Sequence, residues 1–290
     1  MEFGLRRHWS KSHVLSYILA VQLLSLLIPM SIISKSQIDY QILKDVRRLY
    51  SRDTFTHVYI MFDIIYELEN IDVYFNVSPE GLCGYLLIWH GPDVNGIHIW
   101  GNAGPLIRHI PTERRAILHV YAQELCEEII SYLRSYGPVR LQRYLNMTAN
   151  KGDFKPYCDH KAELITIEHL NEFLNIKRIQ DRGITISMAL DILKKRRYYG
   201  LWVDGKLVSI ACAYVRTNDV WVIGDVFTHP KYRGKGYAKA VTSAITRDAL
   251  FYNASPLLHV DQENVAAKKL YETLGYRVVS STPWIFYGFK

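Results

Sequence analysis

Between Thr228 and Ala238 the chain reads Thr-His-Pro-Lys-Tyr-Arg-Gly-Lys-Gly-Tyr-Ala, setting Gly234 and Gly236 among cations where an apolar run ends and a helical pattern opens. Glycines at such a junction let neighbouring backbone N–H groups converge on one concavity. The N-terminus of the following helix adds about half a positive charge, and Arg233 and Lys235 contribute side-chain charge. The combination suits a diphosphate. It is not a nucleoside-triphosphate P-loop, because the G-x-x-x-x-G-K-[ST] spacing is absent. Downstream, Asn264, Ala267 and Tyr271 recur at helical spacing and so share one helix face, and Gly275 ends that helix. A small Ala between an amide and a phenol leaves room for a slender ligand. Each signal alone has a plain structural reading: a tight turn for the first, an amphipathic helix with a packed Tyr for the second.

The elements that must position these residues follow from periodicity. In the first half, the spacing predicts helices over 40–49 and 57–68, the second capped by Asp53 or Thr54. Strands follow over 72–77, 82–89, 97–100 and 117–121, then a helix over 125–136 closed by Gly137-Pro138. Residues 141–157 show no clear period, and 150–155 are polar enough to be a connection. In the second half, the pattern predicts a helix over 187–196 and strands over 199–203, 207–216 and 220–228, with Asp204-Gly205-Lys206 as a hairpin turn. A helix over 237–251, a strand over 257–260, a helix over 263–274 and strands over 276–279 and 284–287 complete it. The order implies an α/β fold of the α+β kind, with a mixed sheet rather than a uniform doubly wound one.

The halves repeat each other. Ile97-His98-Ile99-Trp100-Gly101-Asn102-Ala103 lies over Val220-Trp221-Val222-Ile223-Gly224-Asp225-Val226, and Ile117-Leu118-His119-Val120 over Leu257-Leu258-His259-Val260. The first copy lacks the glycine loop and the helix after it. The expected organisation is an apolar extension over 1–29, a degenerate copy over 30–150 and a ligand-binding copy over 151–290. Trp89, Trp100 and Tyr85 are expected in the core of the first copy.

Read together, the two motifs resemble the signature of the GNAT superfamily of acyl-CoA-dependent N-acyltransferases, whose core motif is R/Q-x-x-G-x-G/A, matched here by Arg233, Gly236 and Ala238. Asn264-x-x-Ala267-x-x-x-Tyr271-x-x-x-Gly275-Tyr276 is similar to its second part. The resemblance covers about 184–290, and the first half only through the duplication, giving a tandem GNAT-like arrangement. It implies acetyl-CoA as acyl donor, no metal, and transfer to a primary amine (a protein N-terminus, a lysine or a small molecule) by direct attack. It also implies roles. Amides of Arg233, Gly234, Lys235, Gly236, Tyr237 and Ala238 bind the diphosphate; Val226, Phe227 and Thr228 pair with pantetheine, with the Val226 N–H polarising the thioester carbonyl. Asn264 and Ala267 line the pantetheine path, and Tyr271 protonates the departing thiolate. Catalysis then rests on positioning and polarisation. The alternative is a non-catalytic acyl-CoA sensor.

The amine needs a base. The strand position that carries a glutamate in some members is Val222 here, so the nearest carboxylate, Asp225, is the expected base. The competing reading makes Asp225 a hydrogen-bonding residue at a β-bulge. His229, beside Pro230, reads as a turn residue.

Bulk features limit the rest. Apolar residues at 49% and charged residues at 22% exclude a disordered chain. A net charge of +7 comes from 35 Lys and Arg against 28 Asp and Glu, with no basic run long enough to imply a nucleic-acid partner. The densest run, Lys194 to Arg197, reads as a solvated helix end. Cys83, Cys126, Cys158 and Cys212 are scattered, which suits a reducing compartment, and Cys158, His160 and His169 match no zinc spacing. A cytoplasmic setting is expected, since CoA thioesters are cytosolic metabolites. Residues 14–33 carry no charge and follow Arg6, Arg7 and Lys11. They are a membrane partner only as a genuine anchor; the competing readings are a packed helix or an extension upstream of a start at Met30.

Overall fold

The computed structural model of the protein describes residues 31–180 and 183–289. The apolar segment expected over 14–33 lies outside the described residues up to Met30, and its last residues begin the first strand. Among the described residues no helix is long and apolar enough to cross a membrane.

In chain order the first half holds β1 (Ser31–Ser34), α1 (Tyr40–Arg52), α2 (Thr54–Tyr66), β2 (Ile71–Ser78), β3 (Gly81–Trp89), β4 (Asn95–Gly101), β5 (Ala116–Val120), α3 (Cys126–Arg134) and β6 (Val139–Thr148). The second half holds β7 (Glu163–Ile165), α4 (Leu170–Ile179), α5 (Ile186–Lys195), β8 (Arg197–Val203), β9 (Lys206–Arg216), β10 (Val220–Thr228), α6 (Tyr237–Phe251), β11 (Ser255–Asp261), α7 (Val265–Thr273) and β12 (Arg277–Tyr287). Side-chain caps set several helix starts: Asp39 accepts from the Ile42 N–H, Asp53 from Thr56, and Asn264 from Ala267.

The twelve strands of the described residues join one sheet, ordered β1-β2-β3-β4-β5-β12-β6-β11-β10-β9-β8-β7. The order reads the same from both ends. In each half an antiparallel run leads to one parallel pair, β4 with β5 and β10 with β11. The final strand of each half then crosses over: β6 pairs with β11, and β12 pairs with β5 as well as with β6. Between its parallel strands the second half carries α6, where the first has only a 3-10 turn over Gly104–His109.

The sequence reading missed β1, β6, β7 and α4, and split β12 in two. The cause in β12 is visible. Ser280, Ser281, Thr282 and Pro283 interrupt the apolar pattern, and a register shift falls between Val278 and Ser280, yet the strand stays paired. In β6 the adjacent Arg140 and Leu141, on opposite faces, are both exposed, as is Arg143, so no alternation shows.

The core is divided by the sheet. On one face α6 lies flat against it, with Ala240, Val241, Ala244, Ile245 and Ala249 buried beside Ile223, Leu258 and Val260. On the other face α1 and α2 of the first half cover Val215, Val220, Val222 and Leu257 of the second. Tyr85 is buried and Trp89 and Trp100 pack against that cluster. The small side chains of α6 bring its axis close to the sheet, which sets the turn before it at the end of β10.

Candidate functional site

β10 and β11 pair only from Val220↔Ser255 to Ile223↔Leu258. Beyond that point both strands continue, to Thr228 and Asp261, without pairing. The parting has a local cause on β10. Gly224 pairs with Cys212 and Phe227 with Ile210, so Asp225 and Val226 together face one residue of β9. This is a β-bulge, and Asp225 takes its left-handed position at φ 52°. A bulge bends the strand away from its neighbour. The result is a cleft between parallel strands, edged by Val226, Phe227 and Thr228.

The turn at the mouth of this cleft has free donors. The amides of Gly234, Lys235, Gly236, Tyr237, Ala238 and Lys239 donate to no acceptor among the described residues; the first bond of the helix entrance runs from Ala240 N–H to Gly236 O. Gly234 and Gly236 are left-handed, at φ 78° and 79°, and this alternation turns successive N–H groups to one side. A Cβ on Gly236 would sit 2.7 Å from the Tyr157 hydroxyl, whereas one on Gly234 would meet nothing within 4 Å. Arg233, Lys235 and Lys239 have no acidic partner among the described residues. Lys239 instead lies 4.4 Å over the Tyr157 ring. Six unclaimed amides, a helix N-terminus and cations without an acidic partner among the described residues fit a diphosphate.

α7 stands on the α6 side. Asn264 caps it, with its Oδ1 accepting from the Ala267 N–H at 3.1 Å, and the amide nitrogen remains to donate outward. Ala267 is half-buried, while the Tyr271 ring is 7% exposed in the core beneath α6. Its hydroxyl donates to nothing among the described residues, and burial pushes it up to about 12, so the phenol keeps its proton at neutral pH. Gly275 follows at φ 92°, where a Cβ would strike the Asp153 carbonyl oxygen at 1.9 Å. The connecting segment is thereby packed on the end of α7, which also brings Tyr157 to the turn.

Residues 167–276 match the model of the acetyltransferase (GNAT) family. The region that resembles a GNAT domain is thus 167–276, inside the second half. The match begins upstream of residue 184 and so takes in α4. No curated protein matches the chain. Among solved structures, a Drosophila protein superposes with a TM-score of 0.64 at 12% identity, over 90% of this chain and 98% of its own. A GCN5-related N-acetyltransferase-like protein from Streptococcus suis gives 0.59 at 20% identity, over 84% and 97%. A tandem GNAT protein from the clavulanic acid biosynthesis pathway gives 0.57 at 11% identity, over 90% and 100%. These likenesses show the fold over most of the chain and are consistent with a tandem arrangement.

Within the GNAT domain the expected base does not fit its role. Asp225 is held by Lys177 of α4 in a buried ion pair, and accepts from Gln180 Nε2 at 2.7 Å and from the Tyr198 hydroxyl at 2.7 Å. Burial alone would raise its pKa, but Lys177 and these donors outweigh that and hold it below the ordinary value. Both carboxylate oxygens are thereby engaged, Oδ2 by Lys177 and Tyr198 and Oδ1 by Gln180. Asp225 locks the bulge instead. Lys177, Gln180 and Tyr198 escaped the sequence reading; the apolar period of 170–179 was the available signal for α4, but nothing local marks Lys177 as buried. His229 caps the turn after β10, its Nδ1 accepting from the Lys231 N–H at 3.1 Å. Among the described residues no cluster of His, Cys, Asp or Glu could hold a metal. A cavity of about 690 Å³ is lined by Phe62, Arg216 and Trp221 at the opposite end of β10 from the turn, so the candidate site is an open cleft rather than that cavity.

Proposed function

We propose that the chain is an acetyl-CoA-dependent N-acetyltransferase acting on a primary amine. The single observation that carries this is the run of six unclaimed amides beside the cleft where β10 and β11 part. Bound there, acetyl-CoA supplies an activated thioester. The amides from Gly234 to Lys239 bind its diphosphate, the edge from Val226 to Thr228 accepts the pantetheine arm, and the Asn264 amide nitrogen donates to that arm. The Val226 N–H lies at the bulge, where it polarises the thioester carbonyl. Tyr271 donates its proton to the leaving sulfur. The reaction belongs in the cytoplasm, where CoA thioesters are made. The first half covers the opposite face of the cleft with α1 and α2 and shapes the entry of the amine.

One observation favours a second reading. With Asp225 committed to Lys177, the domain lacks the expected base, as an acyl-CoA sensor without turnover would. Incubation with acetyl-CoA and a panel of primary amines, following free thiol, separates the two. Amine-dependent thiol release supports the enzyme; saturable acetyl-CoA binding without release from any amine supports the sensor.

A further inference from the structure

His259 is the first residue of β11 past its last pair with β10, so it stands at the edge of the cleft. Strand alternation puts it on the face of Leu257, which packs with α1 and α2, and opposite to Leu258 and Val260, which pack beneath α6 with Tyr271. His259 and Tyr271 therefore approach the cleft from opposite faces of the sheet.

The ring orientation is fixed by a hydrogen-bond chain. Asn146 of β6 donates through Nδ2 to Ser280 Oγ at 2.8 Å and to Thr282 Oγ1 at 3.0 Å. Its carbonyl oxygen is thus what meets His259 Nδ1, at 2.7 Å. A carbonyl only accepts, so Nδ1 carries the hydrogen and Nε2 keeps its lone pair. That Nε2 is covered and has no partner among the described residues, although the residue as a whole is half-buried. Leaving such an acceptor unsatisfied costs about 1–3 kcal/mol, and the neighbouring His119 Nδ1 and Trp284 Nε1 are without partners as well.

The groups around it are neutral. Tyr59 of α2 stacks at 5.9 Å, and its hydroxyl is bonded to that of Tyr214 on β9 at 2.7 Å. Trp284 of β12 lies at 5.5 Å and His119 of β5 at 5.6 Å, with His98 of β4 behind His119 at 4.3 Å. Burial lowers His98 to about 3, His119 well below its ordinary value and His259 to about 4, so all three imidazoles are uncharged at neutral pH. Asp261, on the same strand, accepts from Gln142 Nε2 at 3.1 Å.

We propose that His259 Nε2 is the proton acceptor for the attacking amine, and that the amine enters from the face covered by α2. The proposal rests on the transferase reading. The amine nitrogen forms the new C–N bond while the C–S bond breaks. His259 Nε2 takes one proton from the ammonium before attack, and the sulfur takes the Tyr271 proton as the C–S bond breaks. The second nitrogen proton leaves to solvent as the amide forms, and His259 and Tyr271 regain their starting states by exchange with solvent.

The test compares full-length wild type with His259→Asn, which keeps a donor for the Asn146 carbonyl and removes Nε2, and with His259→Gln as a second variant. Each is assayed with an alkyl amine, protonated at pH 7, and with a hydrazide, neutral at pH 7. The expected result is a loss of about 10²–10⁴ in kcat with the alkyl amine, partly recovered as pH rises. With the hydrazide a loss of only a few fold is expected, and the acetyl-CoA Kd should stay unchanged. Equal losses with both amines, or no loss in either folded variant, would overturn the assignment. Wild type that turns over no amine would instead overturn the transferase reading itself.

Discussion

The Lys177 ammonium on α4 and the Asp225 carboxylate on β10 meet as a buried ion pair 48 residues apart in sequence. The pair sits on the bulge that parts β10 from β11, so a helix that precedes β8 in the chain holds the edge of the cleft.

Removing one partner leaves the other charge stranded. Lys177→Met should destabilise the fold by about 3–5 kcal/mol, and Asp225→Asn less, because its amide still accepts from Tyr198. The pair also sets a pH dependence. Asp225 has a depressed pKa when folded, so its stabilisation is present above the unfolded value, near 3.9, and is lost as pH falls through the folded one. Urea midpoints from pH 7 down to pH 3 should fall more steeply for wild type than for Asp225→Asn. Parallel profiles would argue against the pair.

Asp63 of α2 predicts the opposite slope. It is 5% exposed, and burial, reinforced by Glu67 and only partly offset by Arg196, pushes its pKa up to about 8. A raised carboxylate pKa means stability full below the unfolded value and lost as pH rises towards 8. Asp63→Asn should therefore stabilise the protein at pH 8, by on the order of 3 kcal/mol, and change little at pH 4. Calorimetric melting at both values checks the sign.

The glycines of the site should separate by cause. Gly236→Ala meets a left-handed φ and the Tyr157 hydroxyl at 2.7 Å, so acetyl-CoA affinity should drop at least tenfold, with a stability cost of about 1 kcal/mol from the backbone strain. Gly275→Ala runs into the Asp153 carbonyl and should cost stability by about 1–3 kcal/mol. Titration calorimetry and thermal melts distinguish the two outcomes.

Tyr271→Phe removes one hydroxyl from a ring otherwise packed in the core. Turnover with an alkyl amine should fall by about 10²-fold, while acetyl-CoA affinity and stability remain near wild type. Unchanged turnover would remove the phenol from the proposed acid role.

The glycine turn before α6 was legible because its signal is local: glycine, charge and a helix start are contiguous from Arg233 to Ala238. Asn264 and Tyr271 were legible by helical period. What escaped was non-local. The crossing of β6 and β12 follows from pairing across the whole chain, and polar residues such as Arg140 and Ser281 hide both strands. Asp225 was read as a base because its partner, Lys177, lies on an unread helix. His259 entered the sequence reading only as one letter of a repeat, since nothing near it announces Asn146 as its partner.

The central claim is that the amides before α6 bind a diphosphate. An amide-resolved NMR titration of the full chain with acetyl-CoA, and separately with inorganic pyrophosphate, tests it most directly. The account predicts that both ligands shift the amides of Gly234, Lys235, Gly236, Tyr237 and Ala238, and that acetyl-CoA alone also shifts Val226 and Asn264. Saturable binding of acetyl-CoA with the amides from Gly234 to Ala238 unmoved would contradict it.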